Sequence, residues 1–166
     1  MLETNLIGAV MIVDWITLFV ICFRFLGRYD AMPTGILVAI SGFAHVFFGW
    51  IAVTQLGDVY LAFLIWVFAY TFIYAGIVIA KDFDTHTLAH GAFALGTVVL
   101  VYAIHYTMLA LPIWSAILYV FVILYYMFTA TLTGKLDAKY TAYFAMFAAI
   151  VCLVSGGLYL MGYTFS

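Results

Sequence analysis

Runs of apolar residues long enough to cross a bilayer alternate along this chain with short polar points. A helix needs about 20 apolar residues to span a hydrocarbon core of roughly 30 Å. The pattern predicts six such helices, over about 5–27, 33–55, 59–80, 87–109, 112–133 and 139–163. Between them lie "GRYDAMP", "QLGD", "KDFDTH", "LALP" and "GKLDAK". Pro33 and Pro112 fall where a helix begins, a position at which the missing N–H is no loss. The chain therefore reads as a single transmembrane domain, 1–166, with no long loop outside the membrane.

Composition agrees. The chain is 69% hydrophobic and 7% charged, with a mean hydropathy of +1.26. A soluble domain of this length could not bury so much apolar surface. The five basic residues form no patch, so no nucleic-acid partner is expected. Cys22 and Cys152 sit inside apolar runs and imply no disulfide framework. "MLETN" lacks the basic start of a cleaved signal peptide, so the first helix is expected to be kept.

Arg24, Arg28, Lys81, Lys135 and Lys139 all fall at the first, third and fifth connections. The positive-inside rule puts those tips in the cytoplasm and both termini on the periplasmic or extracellular side of a cytoplasmic membrane.

The three inner tips also resemble one another. Asp30, Asp84 and Asp137 are spaced 54 and 53 residues apart, as are Gly42, Gly96 and Ala149. This predicts an all-α protein of three tandem helical hairpins, approximately 1–55, 56–109 and 110–166, around a pseudo-threefold axis. The three aspartates read as N-caps, each accepting from free backbone N–H groups at the positive end of a helix dipole.

Asp14 does not fit the repeat. Its counterparts are Phe68 and Phe121. An acid near mid-bilayer costs at least ~2.5 kcal/mol, so a partner, a wet cavity or a function is required. At 1.5 Å per residue, Asp14 lies about 12 Å below the outer end of its helix and His45 about 15 Å below the outer end of the next. The two can meet, either as a polar clip between helices or as a station on a path. Two groups are too few for a metal site, and His86, His90 and His105 lie near the ends of the fourth helix; no cofactor is expected. Trp114, Leu118, Phe121 and Tyr125 share one face of the fifth helix, and Tyr70, Thr71 and Tyr74 share a turn of the third. Such aromatic stripes commonly serve packing.

Three passages resemble the AmiS/UreI family of urea and short-chain amide channels. They are "GAVMIVDWI" with "YDAMPTGILVAISG", then "YTFIYAGIVIAKDFD", then "IWSAILYVFVILYYMF" with "GKLDAKYT". The resemblance covers most of the chain. It implies a homo-oligomer, a hexameric ring in the best-known case, with one passive channel per protomer between aromatic and aliphatic constrictions. By position it implies a path lined by Ile7, Met11, Tyr74, Trp114, Phe121 and Tyr125; Asp14, His45 and Tyr70 join them as candidates. Where the urea channels have a tryptophan-rich fifth helix, this chain keeps Trp114 alone. Where they have a glutamate in the sixth helix, it has Phe147, and Asp14 replaces a neutral amide.

The function expected is a passive channel for urea, a short aliphatic amide or ammonia, with lipid and solute as its other partners. The alternatives are a proton-coupled transporter using Asp14 and His45, and a non-catalytic subunit of a membrane complex. No nucleophile–base set or paired acids at catalytic spacing are found, so an enzyme is not expected.

Overall fold

A computed structural model describes residues 2–163. Its helices are α1 (Leu2–Phe25), α2 (Ala31–Ile51), α3 (Val59–Lys81), α4 (Thr85–Met108), α5 (Pro112–Leu132) and α6 (Ala138–Leu160). A π-helical turn, Ala52–Leu56, carries α2 on until Gly57 ends it in the left-handed region at φ 68°. All six helices are long and apolar enough to cross a membrane. α2 begins two residues earlier than the sequence suggested, so Pro33 sits inside its first turn, where it still displaces no hydrogen bond.

The predicted caps divide. Asp84 accepts from the His86 amide and Asp137 from the Lys139 amide. Asp30 occupies the N-cap of α2 but makes no side-chain cap bond. Asp58, not singled out from sequence, caps α3 by accepting from the Leu61 amide at 2.9 Å.

Each helix packs on two neighbours, and α6 returns to α1, closing a ring in chain order. The most intimate pairs are α2 with α3, α4 with α5, and α6 with α1. These pairs cross the boundaries of the hairpins drawn from the sequence. Small residues explain the choice. A Cβ at Gly76 of α3 would sit 2.5 Å from the Ala39 amide nitrogen, and one at Gly42 of α2 would sit 2.6 Å from the Ile73 nitrogen. Gly96 lies under the Tyr125 side chain, and Gly8 and Gly156 bring α1 and α6 together. Close approach of this kind is how helices associate in lipid, where no hydrophobic driving force separates helix from solvent. The even-numbered helices thus lean on odd-numbered ones, and α1, α3 and α5 are left facing inward.

Candidate solute path

Two cavities lie inside the ring. The one nearer the chain termini, called outer for its place in the ring, is of about 40 Å³ and is walled only by α1, α3 and α5. Its lining falls into four sets of three: Ile7, Leu61 and Trp114; Val10, Leu64 and Ile117; Met11, Ile65 and Leu118; Asp14, Phe68 and Phe121. Every set has the 54- and 53-residue spacing. The inner cavity, of about 300 Å³, continues the series with Leu18, Phe72 and Tyr125, then Ile21, Ala75 and Phe128, then Phe25, Ile79 and Leu132. It also touches Thr85, Leu88 and Ala92 of α4, and reaches Arg24, Asp82 and Phe83 near the inner tips.

Phe68 and Phe121 line both cavities. Their rings meet edge-on, with centroids 4.9 Å apart. They divide the outer chamber from the inner one. The third residue of that layer, by the repeat spacing, is Asp14.

Asp14 is 3% exposed and His45 is fully buried. Nε2 of His45 lies 3.1 Å from Oδ1 of Asp14. Nδ1 lies 2.8 Å from the Ser41 carbonyl oxygen. A carbonyl only accepts, so Nδ1 carries hydrogen and donates to it. Nε2 and Oδ1 can then bond only through one further proton between them. Either a neutral carboxyl donates to a neutral imidazole, or an imidazolium donates to a carboxylate. In both cases the pair is neutral overall and each buried polar group has a partner. His45 is wedged among Phe48, Phe68 and Phe72, with its ring centroid 5.2 Å from that of Phe72. It touches neither cavity, and it backs Asp14, Phe68 and Phe72, which do.

One polar station lies just inside the Phe68–Phe121 layer. The Tyr125 hydroxyl donates to Thr71 Oγ1 at 2.9 Å, and Thr71 donates to the Val67 carbonyl at 2.8 Å. Tyr125 retains accepting capacity toward the inner chamber. At the outer rim, Trp114 packs between Tyr106 and Tyr159, with centroids at 6.1 and 5.5 Å.

Of the residues proposed from sequence, Ile7, Met11, Asp14, Trp114, Phe121 and Tyr125 line a chamber, and His45 stands behind Asp14. Tyr70 and Tyr74 line neither. Tyr70 is 59% exposed on the outside of the ring. Tyr74 stacks on it at 6.0 Å and lies over Gly91 of α4. The inward stripe of α3 is Leu61, Ile65, Phe68 and Phe72, and at 100° per residue Tyr70 points away from it. That stripe is what the sequence reading missed. The repeat contained the signal: adding its 54-residue spacing to Met11 and Asp14 gives Ile65 and Phe68. Phe147, which stands where the urea channels have a glutamate, is half-exposed on the outside of α6.

Among the described residues no group of three or more His, Cys, Asp or Glu could hold a metal ion. No protein-family model matches the chain. No curated protein sequence matches it either. Solved structures do. The crystal structure of the urea channel from the human gastric pathogen Helicobacter pylori superposes with a TM-score of 0.82 at 16% identity, covering 92% of this chain and 96% of that one. A cryo-electron microscopy structure of the Helicobacter pylori urea channel in a closed state gives 0.81 at 16% identity, over 93% and 97%. The chain has the six-helix fold of that channel.

Proposed function

We propose that this protein is a passive channel carrying a small polar uncharged solute across the cytoplasmic membrane, with urea, short aliphatic amides and ammonia as the candidates. One observation carries the reading. Two chambers, walled by equivalent positions of α1, α3 and α5, meet at a single pair of rings, Phe68 and Phe121. The likeness of fold to a urea channel supports it. The lining triplets support a pseudo-threefold axis running along the path.

The route enters beside Trp114, passes Asp14 between Phe68 and Phe121, meets the Thr71–Tyr125 hydroxyls, and leaves past Arg24 and Asp82. A solute crosses as the edge-on pair of Phe68 and Phe121 rings parts, and the few polar groups replace part of its water. No covalent step is involved, and no catalytic role is assigned to any residue. Both termini lie outside, because all five basic residues gather at the opposite end. A homo-oligomer, a hexamer by the family resemblance, fits the apolar outer surfaces of the even-numbered helices.

The buried Asp14–His45 contact at 3.1 Å favours a second reading, a proton-coupled carrier. Stopped-flow light scattering on proteoliposomes separates the two. A channel takes up urea, acetamide or ammonia with no ion gradient. A carrier stays silent until a pH difference is imposed.

A further inference from the structure

The hydrogen bonds of the inner chamber's polar station run in one direction only. The Val67 carbonyl accepts from Thr71 Oγ1 at 2.8 Å, and a carbonyl never donates. That contact uses the Thr71 hydroxyl hydrogen. Tyr125 is therefore the donor in the 2.9 Å contact between the two hydroxyls, which uses its hydrogen as well. Both oxygens keep a lone pair, and neither keeps a hydrogen. The station can accept a hydrogen bond from a solute and has none to give.

No other side chain along the enclosed part of the path makes up for this. The wall of the outer chamber is apolar, with the Asp14 carboxylate turned to His45. Thr71 and Tyr125 line the inner chamber and are buried. The other polar residues lining it are Arg24, Asp82 and Thr85, near the inner tips, where Asp82 and Thr85 are exposed. From the Phe68–Phe121 layer to those tips the remaining lining side chains are apolar. A solute that passes the layer has shed most of its water. If it carries an N–H or O–H, it recovers a hydrogen bond at the station. If it carries acceptors alone, its lone pairs face lone pairs, and polar groups on both sides stay buried and unpaired.

We propose that the Thr71–Tyr125 pair sets the specificity of the path, favouring solutes that donate a hydrogen bond over acceptor-only solutes of the same size. The favoured class is amides and ureas that keep at least one N–H; fully N-alkylated amides are disfavoured. Tyr125 offers the accepting oxygen. Thr71 acts through it, as a positioning residue, by engaging the phenol hydrogen that would otherwise turn to the chamber. One net hydrogen bond corresponds to about two- to tenfold in binding, which sets the size of the discrimination. The proposal rests on the channel reading and deepens it.

The test is the slowing of urea uptake into proteoliposomes by a second amide, equilibrated at equal concentration inside and outside so that its own leak through lipid has no effect. The probes are propionamide, N-methylacetamide and N,N-dimethylformamide, isomers with two, one and no N–H hydrogens. Each protein is scaled to its own uptake without a second amide. In the wild type, the half-inhibiting concentrations of propionamide and N-methylacetamide are expected to be severalfold lower than that of N,N-dimethylformamide. Thr71→Val frees the Tyr125 hydrogen, so the station can then donate as well as accept. In that variant N,N-dimethylformamide is expected to inhibit severalfold better while propionamide changes little. Thr71→Ser keeps the hydroxyl and is expected to keep the wild-type order. Equal inhibition by the three isomers in the wild type, or inhibition by none, overturns the proposal and leaves the channel reading standing. So does a wild-type order that persists in Thr71→Val. If Thr71→Val fails to fold, the isomer order in the wild type and in Thr71→Ser decides. Urea uptake no faster than in protein-free liposomes overturns the channel reading, and the proposal falls with it.

Discussion

An acid buried in a membrane helix is stable only while something answers its charge. For Asp14 that something is His45, itself fixed by the Ser41 carbonyl and by three phenyl rings. Removing one partner and keeping the other is therefore worse than removing both. His45→Leu is expected to destabilise the protein by about 2–3 kcal/mol, because it strands a buried acid. Adding Asp14→Leu to that variant recovers most of the loss. Unfolding of the purified protein checks this, and a double variant less stable than His45→Leu would show that the pair is not the unit described. The sequence exposed both residues and their common depth, since depth along a helix is fixed by residue count. It did not reveal the Thr71–Tyr125 bond. That bond depends on which faces of α3 and α5 meet, and a nearly uniform apolar sequence hides those faces.

At the scale of the element, helix spans were legible because apolar length is dictated by bilayer thickness. Their ends and pairings were less so. The hairpins joined by the inner tips looked like packing units, yet the close pairs are those in which a glycine meets a neighbouring backbone. Gly76→Ala places a methyl group against backbone atoms of α2 and is expected to destabilise the protein by about 2 kcal/mol or more. Gly157→Ala meets nothing within 4 Å and is expected to be neutral or slightly stabilising. Parallel melting curves of the two variants test this. The caps carry a pH dependence of their own. The Lys139 amide and side chain hold the Asp137 carboxyl below the usual carboxylate range. A group lowered in this way adds stability above its unfolded pKa, near 3.9, and loses it as pH falls through its folded value. Asp137→Ala is accordingly expected to lower Tm at neutral pH and to make no difference in strong acid.

For the whole molecule, the repeat explains most of the architecture. Three equivalent inward stripes form a graded tube whose rungs recur at a fixed spacing. The fifth-helix stripe was visible because Trp114, Phe121 and Tyr125 are conspicuous. The equivalent third-helix stripe was obscured by two tyrosines, Tyr70 and Tyr74, that face away from the path. One rung breaks the equivalence, where an acid takes the place of a third phenylalanine. That substitution puts an ionisable residue in the layer where the two chambers meet.

A single solute path across the layer of Phe68 and Phe121 must respond to the size of that layer. The most direct measurement is stopped-flow uptake of urea and acetamide, without any ion gradient, by liposomes holding equal amounts of folded wild type or Phe121→Ala. Wild-type uptake is expected to exceed that of empty liposomes. Phe121→Ala is expected to take up both solutes severalfold faster, with a larger relative gain for acetamide, the bulkier solute. Wild-type uptake no faster than empty liposomes, or rates left unchanged by Phe121→Ala, would contradict it.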